Sequence, residues 1–363
     1  MHIAILGCRG IPNRYGGFEQ FASYLAEELV SRGIKVTVYC SHFHPEKSIE
    51  FRGIQRVMIF DPEKWLGNAG QIIYDLLCIL DARKRNYDII YQLGYTSCGL
   101  WQWLLPTNTP VVSNMDGLEW SRAKYGFFAK GFLRWSERKV ALRSGWLVAD
   151  AMPIQQYLDN TYQKKTIFLS YATPAVHQPD LAYLENWQVK PGRYCLVIAR
   201  LQPDNHIEEA IQGVLQSRTD LPLLIVGNTA SSYGKKLKRQ YASRTIQFLG
   251  SIFEKEVLDA LRAGSAWYFH GHSAGGTNPS LLEAMAAAGK IVAHDNPFNR
   301  SILKKNAQYF TSSDDIGDLL QNPEPEEIWE TRIQKNRESI LKDYSLDRLT
   351  NSYLAFFQKV LSS

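Results

Sequence analysis

The stretch Gly271-His272-Ser273-Ala274-Gly275-Gly276-Thr277-Asn278-Pro279-Ser280-Leu281-Leu282-Glu283 runs a glycine-rich loop into a helix that carries one carboxylate. Asn278 suits an N-cap and Pro279 the first helical position, so the turn before them aims backbone amides at an anion. Glu283 follows about one turn inside the helix, clear of that anion but placed to accept hydrogen bonds from a ribose diol. This layout suits a nucleotide sugar. The alternative is a capped α/β loop with a surface glutamate.

A second loop has related chemistry. Gly7-Cys8-Arg9-Gly10-Ile11-Pro12-Asn13-Arg14-Tyr15-Gly16-Gly17-Phe18-Glu19 leaves an apolar strand and ends in a glycine pair directly before a helix, where Gly16 and Gly17 let backbone amides approach a phosphate. It is neither the G-x-G-x-x-G of a dinucleotide site nor a G-K-[ST] P-loop, and no acid follows the second strand at Tyr39-Cys40-Ser41 to hold a cofactor ribose. Dehydrogenases and P-loop enzymes are disfavoured. Arg200 leaves the carboxyl end of another strand in Ala199-Arg200-Leu201-Gln202-Pro203-Asp204-Asn205, and its planar fork fits a diphosphate, with Asn205 as a neutral donor beside it. In Asp116-Gly117-Leu118-Glu119-Trp120 either carboxylate is a candidate to orient a hydroxyl or act as general base, with Arg122 as an ion-pair alternative. Asp150 is a weaker candidate. His272 is a candidate contact to donor sugar or phosphate, whereas His270 reads as a core hydrogen-bonding group. His270 and His272 lack a third ligand at metal spacing, so no metal site is expected.

These loops need strands and helices to hold them. Apolar runs of strand length alternate with helix-period segments, which predicts parallel sheets with crossover helices. In the first half, strands are expected at 2–6, 35–39, 88–92, 110–114, 145–149 and 166–169, with a helix over 18–30 whose Phe18, Phe21, Ala22, Leu25 and Leu29 share one stripe. Gly33 is placed to end it. In the second, strands are expected at 194–198, 223–226, 246–249, 266–270, 291–293 and 308–310, followed by helices to the end. The fold class is therefore α/β, two doubly wound Rossmann-like domains facing a cleft, with ligand loops at the carboxyl ends of the strands. The boundaries expected are 1–175, a proline-containing linker at 176–192, 193–344, and a last helix within 345–363 that packs back on the first domain.

Bulk properties narrow the class. A chain of 363 residues, 45% hydrophobic with a net charge of +5, reads as two globular domains without a polybasic signature of nucleic-acid binding. Five scattered cysteines without C-x-x-C spacing fit reduced thiols and a cytoplasmic setting, and Met1 to Leu6 enters a strand without a signal-peptide pattern. Residues 122–143 interleave Lys124, Lys130, Arg134, Arg138 and Lys139 with Tyr125, Phe127, Phe128, Phe132 and Trp135, a helix suited to peripheral contact with the inner face of an anionic membrane or to packing on the sheet.

Taken together, Gly7 to Glu19, Asp116 to Trp120, Arg200-Leu201, His270 to Met285 and the closing helix resemble a GT-B fold glycosyltransferase of family 4, specifically its bacterial rhamnosyltransferase-like branch. The resemblance implies that Gly16, Gly17 and Arg200 hold the donor diphosphate and Glu283 the ribose, while Gly276, Thr277 and Asn278 offer further donors. It also implies retention of configuration without a metal or cofactor. The implied donor is a dTDP- or UDP-linked sugar, and the acceptor a saccharide or lipid-linked saccharide in cell-surface polysaccharide synthesis. Two departures stand out: Asn205 replaces the lysine of G-R-L-x-x-x-K, and Gly275 replaces the first glutamate of E-x7-E. The second is compatible with a deoxyhexose such as L-rhamnose. A non-catalytic nucleotide-sugar-binding subunit is the alternative.

Overall fold

A computed structural model describes residues 1–122, 125–175 and 179–363. Residues 1–121, 125–172 and 346–363 form one compact unit, and 173–345 together with Arg122 another. The first contains β1 (His2–Leu6), α1 (Gly17–Ser31), β2 (Lys35–Ser41), β3 (Glu50–Phe51), β4 (Ile54–Ile59), α2 (Glu63–Leu66), α3 (Asn68–Ala82), β5 (Ile89–Leu93), β6 (Val111–Asn114), α4 (Phe127–Arg143), β7 (Trp146–Ala149), α5 (Met152–Tyr162) and β8 (Ile167–Phe168). Its eight strands run in the order β3-β4-β2-β1-β5-β6-β7-β8, all parallel except the β3–β4 pair. Ile3, Ala4 and Ile5 of β1 are fully buried, as expected for a central strand covered by helices on both faces.

The sequence reading placed no strands between Ser41 and Asp88. Here β3 and β4 form a hairpin whose turn residues Arg52 and Gly53 both have positive φ, 49° and 79°. Polar Gln55 and Arg56 break the apolar run of β4. Arg56 is nevertheless buried, donating to the carbonyls of Ser48 and Glu46 at 2.7 and 2.8 Å.

The second unit contains β9 (Cys195–Ile198), α6 (Ile207–Ser217), β10 (Leu223–Val226), α7 (Ser232–Tyr241), β11 (Ile246–Gly250), α8 (Lys255–Gly264), β12 (Trp267–His270), α9 (Pro279–Ala286), β13 (Ile291–His294), α10 (Pro297–Leu303), β14 (Gln308–Phe310), α11 (Ser313–Gln321) and α12 (Glu326–Asp343). Its parallel sheet runs β11-β10-β9-β12-β13-β14. Trp329 of α12 is buried edge-on against Trp267 of β12, ring centres 5.3 Å apart. Of the stretch read as a linker, 176–178 lie outside the described residues, while Leu181–Trp187 form a 3-10 helix within the second unit. Its Leu184 is buried at Gly264 of α8, where an added Cβ would lie 2.7 Å from the leucine side chain.

The final helix, α13 (Leu346–Leu361), belongs to the first unit. Tyr353, Phe356, Phe357 and Val360 make its buried stripe, and the Tyr353 hydroxyl lies 2.7 Å from that of Tyr91 on β5. Asp347 pairs with Arg32 just after α1. All five cysteines are buried and free, and among the described residues no helix is long and apolar enough to cross a membrane.

In both sheets the order reverses beside the first strand of the unit, at β1/β5 and at β9/β12. Loops diverge there at the carboxyl ends, leaving the crevice where open α/β sheets bind ligands. If α13 completes the first core, Tyr353→Ala destabilises the protein by about 3–5 kcal/mol. Urea denaturation checks this, and a change below about 1 kcal/mol would show the helix to be peripheral.

Candidate functional site

In the second unit, the loops after β9 and β12 flank the reversal point and are clasped together. Gly271 runs so close to the first loop that a Cβ there would sit 2.0 Å from the Asn205 carbonyl oxygen. The amide and hydroxyl of Ser273 both donate to the Asp204 carbonyl at 3.0 Å. From the other side, Asn296 and Asn299 each donate to the His272 carbonyl at 3.0 Å. The loop holding the candidate anion site is thus fixed at three consecutive residues.

This clasp brings together Arg200, Asn205 and His272. Arg200 lies exposed in the loop two residues past β9, and among the described residues no carboxylate pairs with it. Asn205 is buried and its Nδ2 donates to the Arg200 carbonyl at 2.7 Å, closing the turn beneath the arginine. His272 is half-buried; burial, then His270 and Arg200, hold its imidazole neutral with a pKa well below the usual value. Thr277 is buried and Gly276 half-buried in the loop, while Asn278 caps α9 by accepting from the Ser280 amide at 2.9 Å. Gly275 has φ +129°, a backbone region in which a side chain is strained, so the loop path itself disfavours the glutamate of E-x7-E at this position.

Glu283 is on α9, its Oε2 2.5 Å from the guanidinium of Arg262, which is fully buried on α8 and has Asp259 at 3.6 Å. Burial disfavours the arginine's charge, but Glu283, Tyr268 and Asp259 outweigh it and hold its pKa up. The sequence reading missed this partner, because Arg262 lies on a helix far from any loop motif.

It also missed a histidine arrangement assembled from the ends of β12 and β13 and the loops after β9 and β12. His270 stacks on His272 at 4.6 Å between ring centres, and His206 on His294 at 3.9 Å. His206 is tied to Glu209 at 2.9 Å. Burial, with Arg262, pushes His270 down to about 3, and burial, with His206, pushes His294 down to about 4. Neither ring nitrogen of His270 has a hydrogen-bond partner, so it is not the hydrogen-bonding core group expected. Among the described residues no group of three His, Cys, Asp or Glu is placed to hold a metal ion.

In the first unit, Gly16 is the N-cap of α1 in extended backbone and Gly17 its first residue. Glu19 is buried and accepts from the Arg9 amide at 2.8 Å, which fixes the path of the loop before the glycines. Arg9 forms a two-pronged pair with Glu63, at 2.7 and 2.6 Å, and lies over the Tyr15 ring. Behind it Asp75 accepts from Ser97 at 2.5 Å, and burial pushes its pKa up to about 6. None of Arg9, Glu63 and Asp75 was singled out from the sequence; Asp75 sits among apolar residues of α3 and reads as an interruption of a core stripe. Asp116 has φ +47°, donates its amide to Asn114 at 3.0 Å and accepts from the Tyr171 hydroxyl at 3.2 Å. Glu119 opens a 3-10 turn anchored by its amide on the Tyr95 hydroxyl at 2.8 Å. Lys124, one of the cations expected near α4, lies outside the described residues.

Residues 186–332 match the family described as Glycosyl transferases group 1, and residues 1–174 match a domain of unknown function, DUF1972. No curated protein matches the chain. Among solved structures it is similar to sucrose-phosphate synthase from Thermosynechococcus elongatus, at 14% identity and TM-score 0.81, covering 99% of each chain. It is also similar to HepE from Anabaena in complex with UDP and glucose, at 14% identity and TM-score 0.73, covering 99% of this chain and 100% of that one. A glycosyltransferase from Rickettsia africae aligns at 14% identity and TM-score 0.70, over 99% of this chain and 98% of that one.

Gly271→Ala drives a methyl group into the Asn205 carbonyl and is expected to cost about 1–3 kcal/mol of stability. Urea denaturation checks this, and a wild-type midpoint would show that the clasp is dispensable. A separate outcome concerns acid stability. His270 has a folded-state pKa depressed from the ordinary 6.5 to about 3, so below pH 6.5 the unfolded chain takes up a proton that the folded chain refuses. Its share of stability is whole above that pH and drains as the pH falls toward 3. His270→Phe should therefore flatten the fall of the urea midpoint between pH 6.5 and 4, and an unchanged slope would contradict the depressed value.

Proposed function

We propose that this chain, whose residues 186–332 match the group 1 glycosyl transferases, transfers a deoxyhexose such as L-rhamnose from a dTDP- or UDP-linked donor to a saccharide or lipid-linked saccharide in cell-surface polysaccharide synthesis. The observation that carries the donor assignment is Arg200. An arginine with no carboxylate partner among the described residues, held above a closed turn beside a neutral half-buried histidine, presents positive charge and donors to a diphosphate without an internal anion to compete.

The donor diphosphate lies across the loops after β9 and β12, with Arg200, Asn205, His272, Gly276, Thr277 and Asn278 around it. Glu283, oriented by Arg262, accepts from the ribose. Within the first unit, Gly16 and Gly17 open α1 and are assigned the same kind of role, backbone amides for a phosphate. The positive φ of Gly275 supports a deoxysugar donor, because a residue contacting the hydroxyls of a common hexose is disfavoured there.

Transfer proceeds with retention and without a metal. The bond between the anomeric carbon and the diphosphate breaks as the acceptor oxygen bonds to that carbon on the same face. The acceptor proton passes to the departing phosphate oxygen. Arg200 and the loop amides are preorganised against the charge that builds on the leaving group. Asp116 and Glu119 orient the acceptor hydroxyl.

A setting at the cytoplasmic face of a membrane is supported by the start of α4. Phe127 and Phe128 are 86% and 89% exposed there, next to Lys130, Arg134 and Arg138. Adjacent exposed aromatics backed by cations suit an anionic bilayer.

Arg200→Ala is expected to lower turnover by about one to two orders of magnitude, the scale of one transition-state donor. The wild type should melt higher in the presence of its nucleotide sugar, with a panel of dTDP- and UDP-sugars identifying which. Diphosphate release and glycoside formation report turnover. A normal rate in Arg200→Ala removes the arginine from the site, and nucleotide binding without product across the panel favours a binding subunit.

A further inference from the structure

We infer that the first unit carries an aromatic platform for a pyranose ring, built from His42, Phe43, Phe60 and Trp65 at the carboxyl ends of β2 and β4. The transferase reading makes that pyranose part of the acceptor; the platform itself is argued from the geometry below.

The rings form a stepped surface. His42 and Phe60 are nearly parallel, 23° between planes with centres 5.1 Å apart, and Phe60 and Trp65 are 21° and 5.9 Å apart. Such separations belong to rings slid past one another, so part of each face stays open. Phe60 is 52% exposed and Trp65 65%. Phe43 braces the stack from the side, 3.8 Å from His42 and 5.5 Å from Trp65 between ring centres, and Lys64 lies 3.8 Å from its ring centre.

The platform is built rather than incidental. The Nδ1 of His42 accepts from the Asp61 amide at 2.8 Å, which fixes the ring plane. Lys47 donates to the His42 carbonyl. Asp61 is buried and accepts from the Glu63 amide at 2.9 Å, setting the turn that leads from Phe60 to Trp65. Exposed aromatics on so anchored a frame are costly to leave in water and mark a binding surface.

The rim chooses the occupant. Lys64 lies over Phe43, Lys47 is held on the His42 carbonyl, and Glu63, paired with Arg9, precedes Lys64 and Trp65 in the chain, a mixed set of hydrogen-bonding groups with both signs of charge. A lipid surface is better matched by the basic end of α4, where the aromatics have only cations beside them. A pyranose presents one face of weakly positive C–H groups, which suits the negative face of an aromatic ring, and a girdle of hydroxyls, which suits such a rim. The position also agrees, since both strands deliver these residues at the edge of the sheet where ligands bind.

Ligand-observed saturation-transfer NMR on the full chain tests the platform, with the methyl glycosides of glucose, galactose, N-acetylglucosamine and L-rhamnose as probes. At least one glycoside should receive saturation, strongest on the C–H protons of one ring face. The signal should fall about threefold or more in Trp65→Ala and be largely kept in Trp65→Phe. The UDP-induced melting shift serves as the control: it should be equal in all three proteins, showing folded chains and an intact donor loop. No signal with any glycoside, or an equal signal in Trp65→Ala, overturns the platform. So does a dimer, or binding to anionic phospholipid vesicles, that is lost in Trp65→Ala while glycosides give no signal. If glycosides bind through Trp65 but no nucleotide shifts the melt, the donor assignment fails and the platform stands.

Discussion

The second unit depends on one contact without room for a side chain, the passage of Gly271 against the carbonyl of Asn205. That contact sets the distance between the loops after β9 and β12 at the point where the strand order reverses. Ser273, Asn296 and Asn299 then hold the second loop by its own backbone. With both loops fixed through main-chain atoms, side chains such as Arg200 are left free for a ligand. Rigid backbone supporting an uncommitted cation is what electrostatic preorganisation requires.

Around this clasp the unit buries polar groups in two ways. Arg262 keeps its charge because Glu283 and Asp259 meet it, and the same pair orients the carboxylate proposed for the ribose. His270, His272 and His294, stacked in the histidine pairs, are instead held toward the neutral form by burial. The two solutions are linked: after burial, Arg262 is the group that depresses His270, so the arginine paired with Glu283 also helps keep that imidazole uncharged. The first unit repeats the pattern with a pair and a buried acid whose pKa is raised, Arg9 with Glu63 and, behind them, Asp75.

Much of the fold was legible in the sequence. Runs such as Ile3-Ala4-Ile5-Leu6 and Leu223-Leu224-Ile225-Val226 have no polar alternation, which marks strands buried on both faces, and they sit where the strands are found. The β3–β4 hairpin was not legible, since Gln55 and Arg56 interrupt its pattern and Arg56 is buried only because the loop before β3 folds carbonyls around it. Of the site, the glycine loop and the cap at Asn278 were readable because local backbone chemistry alone dictates them. Arg262, Asp75 and the aromatic steps from His42 to Trp65 were not, because each takes its meaning from a neighbour on another element.

By itself, the order of residues determined the alternation of strands and helices, the positions of the loops, and the chemical types those loops carry. These are consequences of periodicity and of cap and turn preferences, which act over a few residues. Only the tertiary structure decided which loops meet, which charges are paired, and which rings stay open to solvent. Asn205 illustrates the difference: as a residue type it is a donor for any acceptor, but the turn it occupies gives its side-chain nitrogen to the carbonyl of Arg200. Gly275 illustrates the converse, a missing glutamate whose absence agrees with a backbone angle that no sequence pattern discloses.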